Sequence, residues 1–356
     1  MYKNWIQKSL TTAIILIVIV VSINFIADPY QHYRKTTLYP AFFGGDQRYL
    51  NPGLAKNYKY DSVIIGTSMT EKFYVPNINK IFNSSFLKLS MSGSTAYEQN
   101  LILTQAVKTK QVHKVIWGLD IYSLKGQVEQ YRNGKNNFPL YLYDNNILND
   151  YKYLLSKDTF AEFIKILKKF YLEKDKFYFD INNIFLSKDQ DDNITASDVI
   201  LIFNKKLVNS NFIKKDFLFE TMKQNFDINI YKIIKENSDI KFDIFLPPYS
   251  ILAWYDINEQ GWLEDALKIK LYMFQKLKNL KNANLYDFQA NINFITNLEN
   301  YVDTTHYKSK FNTFIIKNIY KKKISSDIYK NNDIIRSYIN GVNNYKQEEF
   351  LDEDSI

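Results

Sequence analysis

The sequence predicts an α/β protein built on a five-stranded parallel sheet. Short apolar runs, several of them rich in β-branched residues, recur along the chain, and segments with the apolar spacing of helices separate them. Strands that alternate with helices favour a parallel sheet with helices packed on its faces. The five predicted strands comprise residues 62–66, 86–90, 114–120, 242–246 and 283–288.

Three further segments are predicted to be helices of the same α/β core. In the first, residues 95–109, Leu101, Leu103, Ala106 and Val107 are spaced so that they share one apolar face of a helix. A helix with one apolar face buries that face against a sheet or another helix. The other two predicted helices comprise residues 263–280 and 311–322.

The alternation of strands and helices stops between residues 123 and 239, a segment rich in Lys, Asn, Phe and Tyr. Residues 160–172 have helical periodicity, so we predict a largely helical insertion that caps the α/β core. Residues 28–60 are predicted to be an irregular lead-in, because Pro and Gly punctuate them, as in Asn51-Pro52-Gly53. The α/β domain with its insertion is then assigned to 61–322, and a C-terminal extension with an acidic tail to 323–356.

The N-terminal region contains a segment suited to crossing a membrane. Residues 10–27 carry no charge, and 18 residues of helix span about 27 Å, close to the thickness of the bilayer hydrocarbon core. Lys3 and Lys8 precede the segment. This favours an orientation with residues 1–9 in the cytoplasm and the C-terminal part outside it. A cleaved signal peptide is the alternative, but Phe25 stands where a small residue should precede Ala27 by two positions. A buried helix of a soluble protein is a second alternative.

Composition excludes several classes of function. The 356 residues include 46 Lys and Arg against 38 Asp and Glu, a net charge of +8, but the lysines are scattered and form no basic stripe for nucleic acid. The chain has no Cys, which excludes thiolate zinc sites, iron–sulfur clusters and cysteine nucleophiles. Its three His residues stand far apart in sequence, which argues against a multi-histidine metal site. No Walker loop or dinucleotide-binding fingerprint is present, so no cofactor is expected.

Candidate catalytic residues follow two predicted strands and precede the last helix. Ser68 comes directly after the first strand, at the edge of a parallel sheet where ligands bind. Gly93 follows the second strand, where a glycine lets a backbone N–H approach a substrate, although a simple turn would also explain it. Asp303 and His306, three positions apart, can place a carboxylate against an imidazole that deprotonates a serine. A solvated loop is the alternative for this pair.

The order and spacing of these residues resemble the SGNH/GDSL hydrolase superfamily. The resemblance covers about 60–125 and 240–320 and implies a three-layer fold with Ser68 as nucleophile, Asp303 and His306 as the acid and base, and Ser68 and Gly93 as backbone oxyanion donors. The family's oxyanion Asn corresponds to Asp120, a departure, because an ionised carboxylate cannot donate a hydrogen bond. Either Asp120 is protonated, or another group donates, or the chemistry is slow.

Finer features are similar to membrane-anchored members that act on bacterial envelope polysaccharides or teichoic acids. These are the single anchor, Ile-Ile-Gly-Thr-Ser-Met, Phe-Leu-Pro-Pro-Tyr-Ser and Asp-Thr-Thr-His-Tyr. The resemblance implies an acyl-ester hydrolase or O-acetyltransferase of a cell-surface glycan, beside a membrane-bound O-acyltransferase. Trp254 and Tyr255 are candidates for stacking on a sugar, or else packing residues. A non-catalytic glycan-binding or docking domain is the alternative function, and a lipase or thioesterase is a third.

Overall fold

The computed structural model describes residues 2–175, 177–180, 191–207, 214–289, 291–322 and 328–353. Residues 176, 181–190 and 208–213 of the expected insertion, and residues 323–327 and 354–356 of the expected C-terminal extension, lie outside the described residues. Three helices, Ala96–Lys108, Leu263–Leu277 and Asn312–Lys321, fall where helices of the α/β core are predicted. The long helix Ile328–Glu353 lies in the C-terminal extension, where no helix is predicted. The helices are α1 (Tyr2–Ala27), α2 (Gln47–Asn57), α3 (Val75–Phe82), α4 (Ala96–Lys108), α5 (Tyr151–Leu154), α6 (Lys157–Leu167), α7 (Ala196–Leu207), α8 (Phe219–Asn225), α9 (Lys232–Glu236), α10 (Ile251–Glu259), α11 (Leu263–Leu277), α12 (Ile292–Ile295), α13 (Asn312–Lys321) and α14 (Ile328–Glu353).

A five-stranded, all-parallel sheet confirms the predicted α/β class. Its strands are β1 (Ser62–Gly66), β2 (Phe86–Lys88), β3 (Lys114–Gly118), β4 (Lys241–Leu246) and β5 (Ala283–Asp287). They are arranged in the order β2-β1-β3-β4-β5. The side chains of β1 and β2 are buried along the whole strand, as expected of parallel strands covered on both faces. The carboxyl ends of all five strands therefore meet at one edge of the sheet.

Strands β2 and β3 end two residues before their predicted ends. Beyond Lys88 the chain stays extended, because the Leu89 N–H donates to the Ile64 carbonyl (2.9 Å) and the Met91 N–H donates to the Gly66 carbonyl (2.9 Å). The Leu119 N–H likewise donates to the Phe245 carbonyl. The apolar runs thus predict the extended backbone, whereas the complete strand ladder is shorter.

The chain divides into two compact units. The first unit comprises residues 1–59, 101–111 and 133–184, and the second comprises 60–100, 112–132 and 185–356. The segment expected as one insertion, 123–239, is therefore shared between the two units. Its described regular elements are helices α5 to α9 and short 3₁₀ and π turns.

Helix α1 of the first unit extends beyond the charge-free segment at its N-terminal end. An 18-residue window of α1 has a mean hydropathy of 2.7, and residues 2–20 are exposed. Among the described residues this is the one helix that is long and apolar enough to span a membrane. Burial begins only near the C-terminal end of α1, where Asn24 and Ala27 are buried against the rest of the first unit.

The lead-in is partly helical, which corrects the expectation of an irregular segment. Helix α2 contains Asn51-Pro52-Gly53, although Pro52 has no N–H and cannot donate to the Arg48 carbonyl four residues earlier. The Tyr143 hydroxyl donates to that carbonyl instead (2.9 Å), so the hydrogen bond lost at Pro52 is replaced from elsewhere in the first unit. This replacement allows proline inside the helix.

Candidate active site

The end of β1 places Ser68 in a tight turn. Gly66 has a φ of +153°, and a Cβ atom there would lie 2.8 Å from the Gly118 carbonyl oxygen of the neighbouring strand. After it, Thr67 caps a short 3₁₀ turn over Ser68–Thr70, with the Thr67 hydroxyl accepting from the Met69 N–H (3.4 Å). The glycine therefore lets the chain turn sharply out of the sheet immediately before Ser68.

Ser68, His306 and Asp303 form a continuous hydrogen-bonded series in the second unit. The Ser68 Oγ atom lies 2.7 Å from His306 Nε2, and His306 Nδ1 lies 2.7 Å from Asp303 Oδ2. An imidazole held in this way has one nitrogen for the serine proton and the other for the carboxylate. The structure thus brings together the three residues that the sequence suggests as nucleophile, base and acid.

The loop that carries Asp303 and His306 is held by its own backbone. Asp303 Oδ1 accepts hydrogen bonds from the N–H groups of Thr305 (2.7 Å) and His306 (2.7 Å). The Val302 N–H donates to the His306 carbonyl (2.9 Å), which closes a small hairpin. Because one carboxylate oxygen is used by the backbone, the other is fixed in direction toward the imidazole.

Two further hydrogen bonds join the histidine loop to the serine turn. The Tyr307 hydroxyl donates to the Met69 carbonyl (3.2 Å), and the Asn312 side chain donates to the Lys72 carbonyl (2.9 Å). These two hydrogen bonds join residues that are 238 and 240 positions apart in the sequence, within the second unit. This arrangement preorganises Ser68 and His306 before any substrate binds.

The electrostatics of Asp303 and His306 favour an ion pair. Burial alone would raise the pKa of Asp303, but the hydrogen bond and charge of His306 and the two backbone N–H groups lower that pKa to about 2. Burial alone would lower the pKa of His306, but the hydrogen bond and charge of Asp303, with the charges of Asp120 and Glu71, raise it above its ordinary value. The site therefore stabilises the imidazolium form that follows proton uptake from the serine.

These residues open onto a cleft of about 330 Å³. Both polar and apolar atoms line it. The lining residues are Ser68, Met69, Glu71, Lys72, Ser92, Val302, Asp303, His306, Tyr307 and Asn312.

Gly93 has a left-handed backbone with a φ of +56°. A Cβ atom at this position would lie 2.1 Å from the Arg132 Nη1 atom, so a larger residue would displace the guanidinium, and the left-handed backbone itself favours glycine. Arg132 Nη1 also donates to the Ser92 carbonyl (2.5 Å), and Ser92 lines the cleft. The structure therefore shows a contact at this glycine, the packing of the Arg132 guanidinium against it, that the sequence does not indicate.

Asp120 is surrounded by hydrogen-bond donors. Its carboxylate accepts from the hydroxyl groups of Tyr249 and Thr67 (3.2 Å for Thr67) and from the Tyr122 N–H (3.1 Å). Burial raises the pKa of Asp120, while these hydrogen bonds and the charge of His306 act in the opposite direction. Every one of these contacts uses Asp120 as an acceptor, and a carboxylate has no hydrogen to offer an oxyanion.

The candidate sugar-stacking residues differ in their surroundings. Trp254 is fully buried and packs against Tyr249 with ring centroids 5.9 Å apart, so it has no exposed ring face for a sugar. We therefore correct its assignment to core packing. Tyr255 is half-buried, with its ring 6.0 Å from that of Phe203. A role for Tyr255 in substrate binding stays a prediction.

No local sequence pattern indicates the contacts made by Tyr249, Arg132 and Lys88. Tyr249 stands in the Pro-Pro-Tyr-Ser motif, but its partner Asp120 is 129 positions away. Lys88 is buried in β2 and donates to the carbonyls of Glu71 and Phe73 (3.0 Å for Phe73), which fixes the chain just after the serine turn. Burial lowers the pKa of Lys88 to about 7. A lysine inside an apolar strand is the signal that could have identified it.

Comparison with known proteins identifies no family. The sequence matches no protein-family model and no curated protein. Within the described ranges, no group of three or more His, Asp or Glu side chains is arranged to hold a metal ion. The resemblance to the SGNH/GDSL superfamily therefore rests on the residues themselves.

Proposed function

We propose that this chain is a membrane-anchored, SGNH-like acyl-ester hydrolase or O-acetyltransferase that acts on a bacterial cell-surface polysaccharide. The observation that carries the proposal is the hydrogen-bonded series from Ser68 through His306 to Asp303, with both heavy-atom distances at 2.7 Å. A serine hydroxyl is a weak nucleophile until a neighbouring base removes its proton. Here the base, its orienting carboxylate and an open cleft are combined.

The first half of the proposed reaction forms an acyl-enzyme. Ser68 Oγ attacks the carbonyl carbon of an acyl ester as its proton passes to His306 Nε2, and the Asp303 carboxylate stabilises the resulting imidazolium. The carbonyl oxygen becomes an oxyanion, for which the backbone N–H groups of Ser68 and Gly93 are the proposed donors. Collapse of this intermediate expels the alcohol, which takes the proton from His306.

The second half of the reaction transfers the acyl group to an acceptor. His306, neutral again, removes a proton from the acceptor hydroxyl, whose oxygen attacks the carbonyl carbon of the acyl-enzyme. The bond from that carbon to Ser68 Oγ then breaks, and His306 returns the proton to Oγ. Water as acceptor makes the protein an esterase, and a sugar hydroxyl makes it an O-acetyltransferase. The same three residues serve either reaction.

The membrane helix supports a location at the cell envelope. With Lys3 and Lys8 before the apolar segment of α1, we propose a single-pass protein of the bacterial cytoplasmic membrane, with the catalytic residues on the periplasmic or extracellular side. Polysaccharides are modified there after export, and acyl groups have to cross the membrane to reach them. A membrane-bound O-acyltransferase is therefore the proposed partner.

A second candidate function is a non-catalytic accessory domain that binds glycan or docks onto a membrane acyltransferase. Asp120 favours it, because the three donors that meet its carboxylate leave it an acceptor where the SGNH resemblance expects an amide donor. Losing one oxyanion donor costs about 10²–10³ in rate. The paired geometry of Ser68 and His306 favours catalysis.

Turnover of a small acetyl ester by the purified full-length protein tests the proposal. Wild type is expected to hydrolyse the ester, whereas Ser68→Ala and His306→Gln are expected to lose about 10⁴-fold or more of the rate. Matched controls are Ser84→Ala and His113→Gln, because Ser84 donates only weakly to its local backbone (3.4 Å to the Phe82 carbonyl) and His113 is exposed before β3. Equal rates in wild type and Ser68→Ala would refute the catalytic proposal and favour the accessory function.

A further inference from the structure

The C-terminal end of the membrane helix is fastened to helix α5 of the first unit. Asn24 Nδ2 donates to the carbonyls of Leu154 (2.8 Å) and Ser156 (3.2 Å), at the C-terminal end of α5. Residues 2–20 of α1 are exposed, whereas Asn24 and Ala27 are buried. The lipid-facing part of α1 therefore ends where α5 begins to cover it.

Arg34 marks the same end of the helix. Its guanidinium donates to the carbonyls of Phe25 (2.6 Å) and Ile26 (3.0 Å) and lies 4.8 Å from the centre of the Phe25 ring. Carbonyls at a helix C-terminus have no partner within the helix, and a cation there also complements the helix dipole. An arginine beside an aromatic ring at the end of an apolar helix is typical of the level of lipid headgroups.

Four large apolar or aromatic side chains next to this junction are exposed. We call them the collar: Ile147, Leu148, Tyr151 and Leu155, with exposed fractions of 80 %, 81 %, 56 % and 45 %. Leu155 lies between Leu154 and Ser156, the two residues whose carbonyls Asn24 binds. Tyr151 lies one helical turn before Leu155, and Ile147 and Leu148 belong to the 3₁₀ turn that precedes α5. A cluster of exposed apolar residues of this kind marks an interaction surface.

The position and chemistry of the collar fit a bilayer surface. Moving an apolar side chain from water into an apolar environment is favourable, so four of them together can hold a surface at a membrane. Lys152 and Lys157 are exposed within and beside the collar and suit anionic phospholipid headgroups. Tyrosine at 151 adds an aromatic ring with a polar tip, the side chain that interfaces favour.

We propose that the collar inserts into the headgroup region of the membrane that α1 crosses. The proposal rests on the membrane-anchor part of the proposed function and is independent of its chemistry. It makes the first unit a body seated on the bilayer and oriented by two attachments, the helix and the collar. A body with only the helix would be free to tilt.

Depth-dependent fluorescence quenching tests this proposal. Because the chain has no Cys, Leu148→Cys and Leu16→Cys each accept a single environment-sensitive dye in the full-length protein. The labelled proteins are reconstituted in vesicles of phosphatidylethanolamine and phosphatidylglycerol with nitroxide lipids. The dye at 148 is expected to be quenched best by nitroxides near the headgroups, and the dye at 16 best by nitroxides near the bilayer centre.

A matched variant and two contrary outcomes make the test decisive. Adding Ile147→Glu and Tyr151→Glu to the Leu148→Cys protein should abolish quenching at 148, because the charged side chains remain in water, and both positions are exposed enough to tolerate the change. Quenching at 16 without quenching at 148 would overturn the collar while leaving the anchor intact. A dye at 148 that is shielded both from aqueous iodide and from lipid nitroxides would also overturn it, and would indicate that a protein covers the collar. Ester turnover in the same vesicles reports separately on the proposed chemistry.

Discussion

The carboxylate of Asp120 accepts a hydrogen bond from the hydroxyl group of Tyr249, a residue of the loop that follows β4. The same hydroxyl also accepts from the Ile121 N–H (3.0 Å), so Tyr249 holds the end of β3 through two contacts. Asp120 is near enough to His306 for its charge to raise the pKa of that imidazole. Asp120, the residue at the position of the oxyanion donor in the SGNH resemblance, thus acts electrostatically on the His306 imidazole.

Replacing Asp120 by Asn should shift the pH dependence of ester hydrolysis. A negative charge near His306 stabilises the imidazolium, so removing it lowers the His306 pKa and increases the fraction of neutral base at a given pH. The acid limb of the pH–rate profile of kcat/KM should move to lower pH. An unmoved limb in a folded Asp120→Asn protein would contradict the electrostatic role.

The plateau rate of the same variant separates two roles of Asp120. If the new amide donates to the oxyanion, the plateau should rise by about 10²-fold, the value of one such donor. A plateau unchanged within the error of the assay would assign Asp120 to the hydrogen-bond network of Tyr249 and Thr67. Thermal unfolding of both proteins controls for damage to this buried network.

Replacing Asp303 by Asn should reduce ester hydrolysis by about 10⁴-fold. An amide can present its N–H to His306 Nδ1, which places the imidazole proton on Nε2 and leaves no lone pair for the Ser68 proton. The His306 pKa should also fall, since the Asp303 hydrogen bond and charge raise it in the wild type. Steady-state rates between pH 5 and 9 measure both effects, and a loss below tenfold would argue against the triad.

A fully buried ion pair in the second unit should control stability independently of the site. Lys270 Nζ lies 3.0 Å from Asp287 Oδ2, and both side chains are completely buried. Lys270→Met leaves the Asp287 charge without its cation and should cost about 3–5 kcal/mol of unfolding free energy. The double variant Lys270→Met with Asp287→Asn should lose less, because it removes the unpaired charge.

Chemical denaturation of the detergent-solubilised protein measures these differences. Asp287 also accepts from the Gln289 N–H (3.0 Å) and the Asn331 side chain (3.0 Å), contacts that an asparagine oxygen can keep in part. A Lys270→Met protein as stable as wild type would show that the pair contributes nothing net.

The topology prediction follows from the charge-free segment that ends α1. A reporter fused to the C-terminus should be active outside the cytoplasm, because Lys3 and Lys8 hold the N-terminus inside. Alkaline phosphatase and a cytoplasmic fluorescent reporter, compared at the same fusion point, measure the orientation. Activity confined to the cytoplasm would contradict it.

Local patterns predict the sheet well because a buried parallel strand is a continuous apolar run. The run at 62–66 coincides with β1, and the run at 283–288 ends one residue past β5. The three candidate residues can also be found from the sequence, since Ser68 follows a strand and Asp303 and His306 stand three positions apart. The strands and the pair of Asp303 and His306 depend on residues that are close in sequence. The pairing of His306 with Ser68, 238 positions away, is what the SGNH resemblance implies.

The features that the sequence does not predict depend on remote partners. Pro52 stands inside a helix because Tyr143, 91 positions later, binds the carbonyl that proline leaves free. Gly93 makes room for Arg132, and Asp120 meets Tyr249, through contacts that no local pattern encodes. Trp254 looks like a ligand-facing aromatic beside a Pro-rich turn, yet helix α10 turns it into the core.

Covalent labelling of Ser68 tests directly whether His306 activates this serine as a nucleophile. The full-length protein is treated with a serine-directed fluorophosphonate, and its intact mass and peptide map are recorded. We expect one phosphonyl adduct per chain, on the peptide that contains Ser68, and no adduct in Ser68→Ala. A wild-type protein that remains unlabelled while folded, or an equal adduct in Ser68→Ala, would contradict the claim that His306 activates Ser68.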